Sequence, residues 1–231
     1  MREESPVFPS RMSRFEAAVA LGWLPVHLFL LPLLLVRLFP QMDGVDLNFW
    51  LYAIGALVLG LCCLPFLRRD FDRLWERPLL VLAQIAIGYV LMLLGSDLVA
   101  LLMRQLSGLL KPEENPNNAA LEALASRDLG KMQAVAIFLS PLVEELMFRG
   151  GIYGLLRRRS RIAATLVCIL LFSVYHTWQY ALLDPVKWLY LLQYLPASWV
   201  LCRVYEKTET IWTPLLFHML NNAVSLWAMN V

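Results

Sequence analysis

The sequence is short of charge. Of its 231 residues 16% are Asp, Glu, Lys or Arg and 59% are hydrophobic, against roughly 25% and 45–50% in an ordinary soluble domain. With a mean hydropathy of +0.60 there are too few polar side chains to clothe a water-facing surface, which excludes a soluble enzyme. An excess of one sign is also missing. The 20 Lys and Arg nearly balance the 18 Asp and Glu, so there is no electrostatic footprint for nucleic acid, and none is expected as a partner. The four cysteines, Cys62, Cys63, Cys168 and Cys202, lie inside apolar blocks and are expected as buried thiols, not as a disulfide frame or metal site. The His-Glu-x-x-His zinc pattern and internal repeats are absent.

What is present is a series of apolar blocks of about 20 residues, the length needed to cross a bilayer core of roughly 30 Å. Spans are expected near 16–39, 47–67, 78–103, 132–156, 162–181, 186–204 and 211–229. The fold class is therefore all-α, a polytopic transmembrane helix bundle of about seven spans, with boundaries that allow six to eight. The first run is too long for a signal-peptide core and is expected to be retained, with Pro25 and Pro32 kinking it. Residues 1–131 are expected to form the leading spans and an outer loop, and 132–231 a helical core, together one integral-membrane domain. The only long polar stretch, 107–131, is expected as a connecting loop with turn chemistry around Pro112 to Asn118 and a short interfacial helix at Ala119 to Ala125.

Lys and Arg set the orientation. Thirteen fall on the side of Arg14, the Arg68 to Arg77 cluster, the Arg157 to Arg161 cluster and Lys207, and six on the side of Arg37, Arg104 and Lys131. The positive-inside rule puts the first side, with the N-terminus, in the cytoplasm. The expected location is a bacterial inner (plasma) membrane, with the lipid bilayer itself as a partner.

Ionisable groups inside a span are costly and mark function unless they are paired. The fourth span contains Glu144-Glu145-Leu146-Met147-Phe148-Arg149-Gly150. Glu145 and Arg149, spaced i, i+4, share a face and are expected to pair. Glu144 points about 100° away around the helix and has no partner in its own span, which makes it the candidate general base. In the fifth span Phe172 lies one turn before His176, and in the seventh His218 lies one turn before Asn222, so each pair shares a face. Asn221 is expected to point elsewhere. His27 is expected to hydrogen-bond between helices, Ser140 and Ser173 to pack as small residues, and Gly150 with Gly154 to allow close helix approach.

A carboxylate, two imidazoles and an amide in a membrane cavity suit hydrolysis of a polar bond. Zinc held by Glu144, His176 and His218 is the rival arrangement. A non-catalytic membrane protein that binds or sequesters a peptide is the alternative from another class.

Glu144-Glu145-x-x-x-Arg149, Phe172-x-x-x-His176 and His218-x-x-x-Asn222, in this order on successive helices, resemble the CPBP group of intramembrane proteases. That group includes the type II CAAX prenyl endopeptidases and bacterial proteins labelled as abortive-infection or bacteriocin self-immunity proteins. The resemblance covers roughly residues 130–231. It implies an intramembrane endopeptidase acting on membrane-associated or C-terminally tagged substrates, a prenylated protein or a sorting tail among them. Glu144 would be the base, His176, His218 and Asn222 its catalytic partners, and Glu145, Arg149 and Phe172 would support them. The group was long called metalloproteases, and its structurally understood member is read as metal-free; no metal is favoured here, with zinc as the possible cofactor.

Overall fold

A computed structural model describes residues 8–107 and 115–228. Among these there is no strand, and nine helices make up the all-α bundle. Helix α1 (Arg14–Leu38) is followed by α2 (Gly44–Cys62), α3 (Leu64–Glu76) and α4 (Pro78–Ser107). Then come α5 (Pro116–Ala125), α6 (129–157), α7 (Arg161–Leu183), a 3₁₀ turn (Pro185–Tyr190), α8 (Leu191–Thr208) and α9 (Trp212–Ala228). Residues 108–114 of the expected loop, with part of its expected turn, and the last residue of the expected seventh span lie outside the described residues, as do Arg2 and Lys111 of the orientation count.

Helices α1, α2, α4 and α7 are each long and apolar enough to cross a membrane. Their large apolar side chains are turned outward: Leu33 is 67% exposed, Leu79 80% and Ile162 72%. In water such a surface would aggregate, whereas against acyl chains it is the favoured one. The protein is an integral membrane protein. The remaining long helices fall short of that criterion for local reasons: α6 carries Glu144, Glu145 and Arg149, and α9 has 17 residues.

Local chemistry sets the boundaries. Ser13 caps α1 in a reciprocal box with Glu16, satisfying two otherwise orphaned donors. The apolar run 47–67 does not make one span, because Pro65 cannot donate a backbone hydrogen bond. The chain breaks at Cys63 and restarts as the amphipathic α3, which carries Arg68, Arg69 and Arg73. Asn115 caps α5 with Pro116 at its first position, so the expected short helix begins three residues earlier than its alanines suggested.

Two prolines widen helices beside the site. Pro32 lies just beyond a π-helical turn at Val26–Leu30, and Pro141 just beyond one at Ala134–Leu139. Each removes a donor and crowds the preceding turn, which the π turn relieves. A third π segment, Leu146–Tyr153, contains Gly150 and Gly151. A Cβ on Gly150 would lie 2.4 Å from the Met12 side chain, and one on Gly151 3.4 Å from Ala20. Gly151 therefore allows close approach to α1 and Gly150 close approach to the segment before it; a Cβ on Gly154 would meet only its own helix, at the Arg149 carbonyl. Gly88 and Gly95 likewise let α4 settle against Val200, Val204 and Pro196 of α8.

Candidate active site

Glu144, Glu145, His176, His218, Asn222 and Phe172 converge on one place, at the base of a cavity of about 420 Å³. Glu145 is fully buried, and its Oε1 accepts from Arg149 Nη1 at 3.0 Å and from His218 Nδ1 at 2.8 Å. The expected i, i+4 ion pair forms, and it also orients a histidine from α9. Arg149 is fully buried as well. It donates to the carbonyl (3.3 Å) and hydroxyl (3.2 Å) of Ser198 and lies 4.4 Å over the Phe172 ring, so its charge is matched by acceptors and a π face.

Glu144 faces the other way. Its Oε1 accepts from the Tyr52 hydroxyl at 3.3 Å, and Tyr52 lies 3.0 Å from the Tyr175 hydroxyl. Its Oε2 has no hydrogen-bond donor among the described residues and stands 3.8 Å from both His176 Nε2 and His218 Nε2. Both imidazoles are fixed through Nδ1, His176 by the Phe172 carbonyl at 2.9 Å and His218 by Glu145. An oxygen acceptor at Nδ1 requires a proton there, so a neutral ring presents the Nε2 lone pair. One carboxylate oxygen and two imidazole lone pairs therefore converge without a donor between them. At 3.8 Å they are too far apart to bond directly and well spaced for one water molecule, whose two O–H groups would satisfy two of the three.

A cation is the other species that convergent acceptors suit. Ligands of tetrahedral zinc at about 2.0–2.2 Å stand roughly 3.4 Å from one another. Both histidine nitrogens are farther than that from Oε2, and among the described residues no group of three His, Cys, Asp or Glu is placed to hold a metal ion.

Asn222 Nδ2 donates to the Ala136 carbonyl at 2.8 Å, for a local reason. Ser140 N–H bonds Val135 in the widened turn, and the next residue, Pro141, has no N–H to offer Ala136. Asn222 fills that gap and keeps its second amide proton. Asn221, expected to point away, lies 3.4 Å from Asn222 Oδ1 and lines the same cavity. Phe172 walls the site as expected, with its ring centroid 4.5 Å from His176 and 5.9 Å from His218. Ser140 lines the cavity, and Ser173 is fully buried beside Phe172.

The sequence reading missed the contributions of the leading helices. Tyr52 reaches Glu144 because Gly55, one turn on, lets α2 approach Val143 to within 3.1 Å of a Cβ position. A lone phenol in mid-span needs a partner, and that was the signal available. His27 forms no helix-to-helix hydrogen bond through Nδ1; its ring packs 4.8 Å from Tyr52 and 6.2 Å from Tyr175. Tyr194 stacks on His176 at 4.7 Å, and Asn115, the cap of α5, ties to Gln193 and Tyr194 at 2.6 and 3.2 Å. Helix α5 thus forms part of the cavity wall through Asn117, Asn118 and Leu121.

A helical membrane bundle with a buried carboxylate–imidazole cluster defines the class as far as geometry can. Residues 129–224 match the family model described as Type II CAAX prenyl endopeptidase Rce1-like, so this part of the chain is similar to that family. No curated protein and no solved structure matches the chain. The match begins at α6 and ends within α9, so it takes in every residue of the glutamate–histidine cluster and none of the leading helices that carry Tyr52 and His27.

Proposed function

We propose that the protein is an intramembrane endopeptidase that hydrolyses a peptide bond of a membrane-associated polypeptide, with Glu144 as general base and no metal. The observation that carries this reading is the unpartnered Glu144 Oε2 facing two imidazole nitrogens at 3.8 Å each. A water at that point hydrogen-bonds to Oε2, gives it a proton and attacks the scissile carbonyl carbon. The C–N bond then breaks, and the proton held by Glu144 passes to the departing amine, so the base is regenerated.

The other groups have distinct tasks. His218 is fixed by Glu145, which makes its Nε2 the better of the two acceptors for the water's second proton. His176, fixed by a backbone carbonyl, orients the water. The free amide proton of Asn222 lies on the same rim and is suited to the developing oxyanion. Glu145, Arg149 and Phe172 hold these side chains and do not touch substrate.

The test is Glu144→Gln, which preserves shape and removes the base. In purified protein assayed against a pool of quenched peptides in detergent, cleavage should fall by about 10³-fold with the thermal unfolding temperature unchanged. Full activity in a folded Glu144→Gln variant would overturn the reading and favour a non-catalytic peptide binder.

A further inference from the structure

The helix ends sort into two faces. At one, Ser10 and Tyr205 meet, Thr210 bonds the Asp70 carbonyl, Trp212 the Leu67 carbonyl and Arg158 the Met12 carbonyl. At the other, Arg127 pairs with Asp43, Lys131 with Asp46, and Asn115 bonds Gln193. The catalytic cavity belongs wholly to the second half. Its wall runs from Glu144 and His218 at mid-depth to Asn48 near the start of α2, Asn117 on α5, Tyr180 near the end of α7 and Ser225 near the end of α9. Below it, toward the first face, Leu146, Phe148 and Arg149 are fully buried and close the bundle.

The cations divide between the same two faces. Of the described Lys and Arg, twelve lie toward the first face, among them Arg68, Arg69, Arg73 and the cluster from Arg157 to Arg161. Five lie toward the second: Arg37, Arg104, Arg127, Lys131 and Lys187. Short cationic loops are retained in the cytoplasm, so the floor faces the cytoplasm and the mouth faces away from it. The mouth is polar without being charged. Side-chain amides reach it from four helices: Asn48, Asn117, Asn118, Gln179 and Asn221. Each offers both a donor and an acceptor, the pair of functions that an extended peptide backbone presents in return.

We propose that the cavity opens on the non-cytoplasmic side of the membrane and takes as substrate an extended segment of an exported polypeptide, gripped through its backbone amides. The substrate part rests on the peptidase reading above, while the side of opening does not. A prenylated tail on a cytoplasmic protein would meet the closed, arginine-rich face.

The experiment uses single cysteines in the full chain, expressed in bacterial spheroplasts and treated with a membrane-impermeant maleimide. Asn118→Cys reports the mouth, Ser225→Cys the cavity wall and Arg159→Cys the opposite face; the unsubstituted chain gives the background from its own thiols. Asn118→Cys and Ser225→Cys should label in intact spheroplasts roughly tenfold faster than the unsubstituted chain, while Arg159→Cys should stay at that background until permeabilisation, because access governs thiol reaction here. Reversed labelling, equal labelling of both faces, or a Ser225→Cys thiol that stays unlabelled until permeabilisation overturns the proposal. Labelling needs no catalysis, so it fails or succeeds independently of Glu144→Gln: an inactive Glu144→Gln variant with reversed labelling leaves the peptidase and removes only the side.

Discussion

The two halves of the bundle bury carboxylates in opposite ways. In the arginine-rich half, Asp70 is fully buried and accepts from the Ser10 hydroxyl, from Arg73 at 2.8 Å and from the Ile211 N–H at 2.9 Å. Glu16 takes the backbone N–H groups of Ser13 and Phe66, and Glu206 takes Arg157 and the Tyr153 hydroxyl. These carboxylates clamp the N-terminal segment, α1, α3, α6 and α8 to one another. In the cavity half, Glu144 Oε2 and Glu145 Oε2 both lack a donor among the described residues. A buried carboxylate costs several kcal/mol unless its lone pairs are satisfied, and of these two oxygens it is the one on Glu144, which lines the cavity, that can be met by a species from outside.

The sharpest way to break this contrast is a pair of substitutions. Glu144→Gln should remove about 10³ of kcat while leaving stability intact. Asp70→Ala should do the reverse, lowering stability by about 3 kcal/mol, because it strands Arg73 and the Ile211 N–H in a buried clamp; kcat per folded molecule should stay at the wild-type value. Thermal unfolding in detergent beside a peptidase assay reads both, and equal losses of activity and stability in both variants would erase the distinction between the halves. A smaller effect belongs to Tyr52→Phe. Loss of the one donor to Glu144 Oε1 should lower kcat by about tenfold with KM unchanged, since the phenol touches the base and not the substrate; a rise in KM at constant kcat would reassign Tyr52 to binding. The smallest expected effect is none: prolonged treatment with a strong chelator should leave cleavage at its starting rate, and loss restored by zinc would replace the metal-free mechanism.

Much of the site was legible because charge is rare in this chain. Glu144, Glu145 and Arg149 stood out in an apolar span, and helical spacing was enough to predict that Arg149 takes Glu145 and leaves Glu144 over, as the structure has it. His176 and His218 were identified as partners from spacing and family resemblance alone. What spacing does not contain is which neighbouring helix faces a given residue. Tyr52 and His27 lie more than 90 residues from Glu144 in sequence and reach the cavity only through packing that Gly55 permits. Asn221 lines the cavity beside Asn222, which helical spacing alone does not indicate because it leaves open how far around α9 the cavity extends.

The sequence by itself determined that this is an all-helical membrane protein, where its charges lie along the chain, and which side chains are too polar for lipid to be there by chance. These follow from transfer energies and helical periodicity, which act locally. Only the tertiary structure decided that Glu145 holds His218, that Asn222 replaces the donor Pro141 lacks, that Tyr52 donates to Glu144 and that helix α5 lines the same cavity. Those outcomes depend on which helices meet and how closely, and that is set by glycines, prolines and widened turns acting between segments far apart in the chain.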